Sequence, residues 1–316
     1  QLTLRHHVSL VGDPAWSYRE EGGSVLQLND PDARCLVDTS TALGIRLNGV
    51  TLHGGSLGEG VVGVLQDKSR WESETIPKGC ATPILERMAV RDFTGDGVYF
   101  SVGVSAIRQC GISRNAGHAI HYEKGADCFI SDNIIWANGG AGFHACTGSG
   151  NTTLIGNRIE WNRGGGVVAK NAWHYTISGN SFDHNFNAPN IWLKGNCHDM
   201  VITGNDLLRG GVFRDGAGLE GDPYLSANLR IENSRGITVT GNGIQSEPVG
   251  GPSGRTGEDP IYPHYGIVIR GLNVAVVNAN HLAHGGTKDL IVDLGEHDDP
   301  EQVMVQCNPG MLHPGV

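Results

Sequence analysis

Long apolar runs, aromatic residues and closely spaced cysteines are all scarce in this chain of 316 residues. No run of roughly 18 or more apolar residues occurs, so the sequence predicts no membrane-spanning helix. The 7 cysteines lack CxxC-like spacing, which favours buried apolar residues over a metal site. Aromatic residues make up only 6% and charged residues 18%, whereas glycine occurs 48 times. This composition predicts many tight turns and excludes a bundle of long helices.

Positive charge is also in short supply. The chain has 23 Lys and Arg against 33 Asp and Glu, a formal net charge of -10. Nucleic acid is therefore not an expected partner, and neither is an anionic membrane surface. The chain begins at Gln1 and runs directly into the strand-like segment LTLRHHVSLVG. From this start we expect a secreted or extracellular protein whose signal peptide is not part of this chain.

One pattern recurs along the chain: alternating apolar residues, then Gly or Asp (once Ala), then Asn. It ends at Asn133, Asn157, Asn180, Asn205, Asn242 and Asn280, with gaps of 24, 23, 25, 37 and 38 residues. Each copy holds only short alternating segments and Gly/Asn turns such as NGGAG and NRGGG, which predicts strands and no helix. A copy this short cannot bury its apolar side alone, so successive copies must stack.

The expected fold is therefore all-β, a single-stranded right-handed parallel β-helix. We expect one domain over residues 1–316, with regular coils over about 80–295, less regular coils over 1–80, and insertions at 211–226 and 246–264. The recurring Asn should form an internal ladder, since its side chain tolerates a left-handed backbone and can bond the neighbouring turn. The open ends of the stack need a cap or a partner subunit, and a homo-oligomer such as a trimer would supply one.

This pattern resembles the pectate-lyase-like superfamily of right-handed β-helix proteins over residues ~80–295. That superfamily includes polysaccharide lyases, glycoside hydrolases, fructotransferases, epimerases and phage tailspikes, so the resemblance implies a carbohydrate ligand. The segments AGHA (116–119) and RIEN (230–233) are only faintly similar to polygalacturonase motifs, and the alginate-epimerase signature DPHD is missing. The resemblance therefore transfers the architecture and no catalytic residue.

Residues at one repeat position form a column, with members roughly 4.8 Å apart. On the strand after the Gly turn, the first outward column contains His121, His144, Val168, Trp192, Arg230 and Val268. Such residues suit a sugar-binding face, with Trp192 as a stacking platform and the His and Arg side chains as hydrogen-bond donors. The next outward column contains Glu123, Cys146, Lys170, Lys194, Glu232 and Arg270. Its mixed charges predict ordinary ion pairs between strands.

On the strand before the Gly turn, Glu160 and Asp183 should lie one coil apart and face outward. Their carboxyl groups could approach the roughly 5 to 5.5 Å separation of retaining glycosidases, which would make one an acid and the other a base or nucleophile. The structural alternative is that they extend into water or pair with Arg158, His184 or Arg209.

The two long gaps hold insertions that should leave the coil at the same corner and form a wall beside this groove. They bring acidic and aromatic residues close to it: Asp215, Glu220, Asp222, Glu258, Asp259, His264 and Tyr265. A calcium site formed by these acids is a weak alternative without supporting spacing, so we expect no metal and no cofactor.

The leading hypothesis is a carbohydrate-active enzyme that cleaves or transfers a glycosidic bond, with Glu160 and Asp183 as the catalytic pair. Its oligo- or polysaccharide substrate would contact His121, His144, Trp192, Arg230, His184 and Tyr265. A second hypothesis is a polysaccharide lyase or epimerase acting on a uronate, with Lys170, Lys194, Arg230 and Arg270 as candidate bases and cations. A third is a non-catalytic glycan-binding or structural β-helix. The sequence does not identify the sugar.

Overall fold

The computed structural model describes residues 1–13, 23–67, 69, 82–101, 103–212, 221–245 and 262–312. Within them the chain forms short parallel strands and two one-turn 3-10 helices, Pro223–Leu225 and Pro300–Gln302, with no α-helix. Two compact units divide the chain, residues 1–158 and 159–316. In both units each coil contributes one strand to each of three parallel sheets, here sheets A, B and C in chain order. The predicted all-β, right-handed parallel β-helix is confirmed.

In the first unit, sheet A contains Leu2–Thr3, Cys35–Asp38, Val62–Gln66, Val98–Phe100, Ile120–Glu123 and Phe143–Cys146. Sheet B contains Ser9–Val11, Arg46–Asn48, Ile84–Glu86, Ser105–Arg108, Cys128–Ser131 and Thr153–Ile155. Sheet C contains Ser24–Gln27, Val50–His53, Ala89–Arg91, Gly111–Ser113 and Ile134–Trp136.

In the second unit, sheet A contains Val167–Lys170, Ile191–Lys194, Ala227–Glu232, Tyr265–Arg270 and Asp289–Asp293. Sheet B contains Thr176–Ser178, His198–Thr203, Arg235–Thr240, Asn273–Asn278 and Val303–Gln306. Sheet C contains Arg158–Glu160, which begins at the boundary residue Arg158, and then Ser181–Asp183, Asp206–Leu208 and Gly243–Gln245. Leu282–Ala283 and Gly310–Met311 form a separate pair.

The core lies inside the coils and follows the predicted alternation. Successive side chains of a strand point to opposite faces, so every second residue enters the coil. The expected inward residues are all fully buried: Ile120, Phe143, Val167, Ile191, Leu229 and Ile267 on sheet A, and Ile135, Ile159, Phe182 and Leu207 on sheet C. The residues between them on sheet A form the outer face, where ligands can bind.

The predicted asparagine ladder is present at the turn from sheet B to sheet C. In the second unit Asn180 Nδ2 donates to Asn205 Oδ1 (3.0 Å), Asn205 to Asn242 (2.9 Å) and Asn242 to Asn280 (2.8 Å). The expectation that the ladder Asn itself has a left-handed backbone is wrong. The left-handed residue is the one before each Asn, for example Gly204 (φ 62°), which explains why Gly or Asp precedes it.

A second ladder, which the sequence analysis did not identify, lies at the turn from sheet C to sheet A. Asn115 donates through Nδ2 to Asn138 Oδ1 (2.9 Å) in the first unit, and Asn162 donates to Asn185 (3.0 Å) in the second. All four are buried. Their side chains accept hydrogen bonds from buried backbone N–H groups of these turns. They therefore hold the turns that lead into the sheet A strands.

Both insertions leave the coil between sheets C and A, as predicted. Half of the first insertion and most of the second lie outside the described residues, and with them Asp215, Glu220, Glu258 and Asp259, on which the calcium alternative depended. In the part of the chain that the structure covers, no helix is long and apolar enough to cross a membrane. The single domain, the caps and the oligomeric state stay predictions.

Candidate functional site

Three histidines meet on the outer face of sheet A in the first unit. His121 and His144 are register neighbours on adjacent strands, as the repeat predicted. His118 reaches them from the turn before strand Ile120–Glu123, and its ring stacks on His144 with centroids 4.2 Å apart and planes within 5°. Nitrogens of the three rings lie within 4.8 Å of one another, and all three residues are partly exposed.

Asp96 fixes the charge of this cluster. It lies in the turn before Val98–Phe100, where its Oδ2 is 2.9 Å from His121 Nδ1 and its Oδ1 accepts the backbone N–H of His118 (2.6 Å). Burial would raise the pKa of Asp96, but the interactions with His121 and His118 outweigh it and hold that pKa below its usual value. Burial lowers the pKa of His121, whereas Asp96 and Cys146 raise it, with a net result of about 9. His121 is therefore an imidazolium at neutral pH.

His118 differs from His121. Its Nδ1 accepts the backbone N–H of Ala141 (2.9 Å), and burial lowers its pKa. The ring is thus neutral with its proton on Nε2, so it donates from Nε2 and offers no lone pair there to a metal. With a charged His121 beside it, the cluster fits proton transfer better than metal binding.

Tyr99 completes this face. It is the register neighbour of His121, and the two rings meet edge to face with centroids 5.0 Å apart. The Tyr99 hydroxyl donates to Glu123 Oε2 (2.6 Å), and burial together with this carboxylate raises the pKa of Tyr99. A shallow pocket beside the pair is lined by Asp67, Ser69, Tyr99, Ser101, Glu123 and Lys124. Glu123 also forms an ion pair with its chain neighbour Lys124, whose Nζ lies 3.7 Å away, and this is not one of the predicted pairs between strands.

In the second unit the outer face of sheet A carries Trp192, Lys194 and Arg230. Lys194 Nζ lies 3.7 Å from the centroid of the Trp192 ring, whose Nε1 donates to Glu232 Oε1 (2.7 Å). Arg230 is buried at 4% exposure, and its guanidinium contacts Glu232 (2.8 Å) and Asp222 (2.6 Å). The expectation that Arg230 serves a sugar or a uronate directly does not fit this geometry, because two carboxylates already neutralise it.

Tyr265 also departs from its predicted position. It is 8% exposed and packs in an apolar cluster with Ala227 and Val268, and its ring lies 5.3 Å from that of Tyr224. A side chain enclosed in this way does not face the groove, so the expected sugar contact is corrected here.

Glu160 and Asp183 are neighbours on sheet C, as predicted. The Trp161 backbone N–H donates to the Asp183 backbone oxygen (3.0 Å). One coil further on, the His184 N–H donates in the same way to the backbone oxygen of Leu208, which is the register partner of Asp183. The expected exposure of Glu160 is wrong, since the residue is 1% exposed. A carboxylate so enclosed does not contact a polysaccharide lying on the surface.

Asp183 adopts the structural alternative, an ion pair. Arg209 donates to both of its oxygens (2.9 and 2.7 Å), and His184 Nδ1 lies 2.9 Å from Oδ1. Burial alone would raise the pKa of Asp183, but His184 and Arg209 outweigh burial and hold that pKa below its usual value. Asp183 therefore stays ionised and cannot act as a general acid. His184 is 5% exposed and stacks on Trp161 with ring centroids 4.3 Å apart. Catalysis by Glu160 and Asp183 stays a prediction that this geometry does not favour.

Sequence comparison identifies the family. Residues 68–159 and 96–251, together more than half of the chain, match the family described as "Right handed beta helix region". The chain belongs to this β-helix family. No curated protein matches it at the sequence level.

Several solved structures share the fold of this β-helix chain. The mannuronan C-5 epimerase AlgE6 A-module of Azotobacter vinelandii is 16% identical with a TM-score of 0.64, covering 98% of this chain and 85% of that one. Tailspike protein 2 of the Escherichia coli O157:H7 bacteriophage CAB120 is 13% identical with a TM-score of 0.65, covering 88% and 37%. DFA-IIIase from Arthrobacter chlorophenolicus A6 is 15% identical with a TM-score of 0.60, covering 100% and 85%. At these identities the likeness shows the fold alone.

Three residues of the histidine face were missed from the sequence: Asp96, Tyr99 and His118. A signal for them was present, because Asp96 and His118 occupy the same place in successive β-helix repeats, as do Tyr99, His121 and His144. Asp96 and His118 belong to the turn column that lies beside the strand column of His121 and His144.

Proposed function

We propose that this β-helix protein is a carbohydrate-active enzyme that performs acid–base chemistry on a uronate-containing polysaccharide. The site is the face formed by Asp96, Tyr99, His118, His121 and His144. One observation supports this most strongly: Asp96 keeps His121 charged at neutral pH on a partly exposed face, beside further proton donors and acceptors.

The chemistry requires such a cation. Removal of the proton on the carbon next to a uronate carboxylate places negative charge on that carboxylate, and a fixed cation beside it lowers the barrier. His121 supplies the cation, His144 is the proposed base, and the Tyr99 hydroxyl is the proposed acid. In elimination the base takes the proton, a carbon–carbon double bond forms, and the glycosidic oxygen leaves with a proton from the acid. In epimerisation a proton returns instead to the opposite face of the same carbon.

The similar epimerase structure acts, by its name, on mannuronan, a polymer of this class. An extracellular location belongs to the proposal because such polymers lie outside the cell. The formal charge of -10 opposes long-range attraction of a polyanion. Recognition therefore depends on contacts at the histidine face itself.

Hydrolysis of a glycosidic bond is the second candidate, now at different carboxylates. Asp67 and Glu123 both line the pocket beside Tyr99. Gln66, Phe100 and Tyr122 are register partners on three successive strands. Asp67 follows Gln66 and Glu123 follows Tyr122, so the two acids occupy the same position on the first and third of these strands. The two acids are therefore two strands apart, roughly 9 to 10 Å, near the separation of inverting glycosidases.

Product analysis separates these functions. The protein is incubated with polyuronates and with neutral polysaccharides, and ultraviolet absorbance of unsaturated ends, deuterium uptake from heavy water and new reducing ends are followed. We expect unsaturated ends or deuterium uptake with polyuronates only. Reducing ends without ultraviolet absorbance would instead show hydrolysis, and glycan binding without turnover across the panel would show the non-catalytic alternative.

The variant His121→Gln should lower kcat by about 100-fold or more, since loss of one group that stabilises charge in the transition state costs about 10² to 10³. The exposed His281 provides a matched control, and His281→Gln should leave the rate unchanged. Glu160→Gln and Asp183→Asn should retain most activity wherever they remain folded. Full activity of His121→Gln would exclude the histidine site, and loss of activity in a folded Glu160→Gln would restore the carboxylate pair.

A further inference from the structure

Two histidines and an aspartate converge at the corner between sheets A and B of the second unit. His174 and Asp199 occupy the same turn position in successive coils, and both have a left-handed backbone, with φ of 54° and 57°. The backbone N–H of His174 donates to the oxygen of His198 (3.0 Å), and Trp173 forms a parallel bridge with His198. The stacking of coils therefore places the three side chains together.

Their donor atoms lie close together. His198 Nδ1 lies 2.8 Å from Asp199 Oδ2, and His174 Nε2 lies 3.3 Å from the same oxygen. The three ligand atoms all lie within 4.8 Å of one another. Because zinc binds His nitrogen and carboxylate oxygen at about 2.0 to 2.2 Å, donors around a tetrahedral ion are roughly 3.3 Å apart. The observed separations are close to this spacing.

Neighbouring groups orient the donors. The Trp173 ring is nearly parallel to the His198 ring, within 10° and with centroids 6.1 Å apart. A Cβ on Gly236 would lie 2.6 Å from Asp199 Oδ1, so glycine at this position leaves room for the carboxylate.

We propose that His174, His198 and Asp199 bind a divalent transition-metal ion of the zinc class, which ties two successive coils together at this corner. His174 Nε2, His198 Nδ1 and one Asp199 oxygen would be the protein ligands, with a water molecule in the fourth position. The site is separate from the proposed sugar chemistry, and no step of that chemistry depends on it. The histidine face of the first unit is the weaker candidate for a metal, because His118 donates a proton from Nε2 and His121 is charged.

The direct test is a zinc titration of chelator-treated protein by isothermal calorimetry at neutral pH. We expect the wild type to bind Zn²⁺ and Co²⁺, the latter giving visible absorption bands. His198→Gln and Asp199→Asn should each weaken binding by at least about tenfold, since loss of an outer partner alone costs about that much. Asp127→Asn is the matched control, because Asp127 is an exposed left-handed aspartate (φ 61°) of the first unit, and it should bind as the wild type does.

Two further readouts report on the coil-to-coil role. Zn²⁺ should raise the unfolding temperature of the wild type and not that of His198→Gln. Acidification should release the metal, because protons compete for the imidazole nitrogens. Absence of Zn²⁺ binding by the wild type would overturn the proposal. So would equal binding by all variants, or binding that is lost only in His121→Gln, which would place the ion on the first unit.

Discussion

Two of the aspartate–histidine contacts in the described sheets and turns have different consequences. Asp96 contacts His121 and accepts the backbone N–H of His118, so His121 carries the balancing charge on an open face. Asp183 contacts His184, but Arg209 occupies both of its oxygens, and His184 is buried under Trp161. The second arrangement stabilises a turn, whereas the first exposes a charged acid to a ligand.

The Asp96–His121 pair makes a prediction about pH. The pKa of His121 is raised from 6.5 to about 9, so the charged form is complete below 6.5 and is lost as the pH rises through about 9. Activity that needs this cation should fall over the same pH range, which gives the pH profile an alkaline limb near 9. In Asp96→Asn the carboxylate that raises the pKa is gone and burial lowers it, so the limb should move down by about 2 pH units or more.

The measurement is the pH dependence of kcat/KM for wild type, Asp96→Asn and the control Asp132→Asn, which replaces an exposed aspartate of the same unit. An unchanged alkaline limb in Asp96→Asn would show that His121 is not the group that titrates. The same pair stabilises the fold below the unfolded pKa of His121, and that contribution is lost as the pH rises through about 9.

The strands of this protein have three to six residues in most coils, so turns and ladders must hold them in register. Each ladder asparagine bonds the next coil and a carbonyl of the coil before it. Asn205, for example, donates to Asn242 Oδ1 (2.9 Å) and to Ile177 O (2.8 Å), and it accepts from the Asn180 side chain and backbone. One side chain thus joins three successive coils.

Loss of one ladder member should therefore be costly. Asn205→Ala leaves the amide groups of Asn180 and the carbonyl of Ile177 without this partner in a buried turn. Each such group costs about 1 to 3 kcal/mol, so the free energy of unfolding should fall by about 2 to 5 kcal/mol. Urea unfolding followed by circular dichroism measures this loss. The exposed Asn196 gives the control Asn196→Ala, and equal stability of the two variants would contradict a structural role for the ladder.

Much of the molecule could be predicted from its sequence because a solenoid contacts mainly its own neighbours. One repeat position determines a column, so the burial of Phe143 and Phe182 and the adjacency of Glu160 and Asp183 follow from spacing alone. Pairing within the site did not follow. Whether Asp183 meets Arg209 or water depends on side-chain rotamers, and the repeat pattern does not show which neighbouring groups enclose Glu160.

The same one-dimensional organisation makes a prediction for the second unit as a whole. Phe182 is fully buried inside the coil, and Phe182→Ala should destabilise its surroundings by about 3 to 5 kcal/mol through the lost contacts and the cavity. Because each coil contacts mainly its neighbours, the extra hydrogen exchange should concentrate in strands Thr176–Ser178, Ser181–Asp183 and Asp206–Leu208. Strands Tyr265–Arg270 and Asn273–Asn278 should exchange nearly as in the wild type.

Hydrogen–deuterium exchange read by mass spectrometry under native conditions resolves these segments. Phe129→Ala is the control, because Phe129 is 47% exposed on sheet B and its removal opens no cavity. A uniform rise of exchange across the second unit in Phe182→Ala would mean that its coils unfold together, so that stacking couples them over longer distances than nearest-neighbour contacts allow. A graded response that decays away from residue 182 would instead show that each coil carries its own share of the stability, with the asparagine ladders transmitting it from one coil to the next.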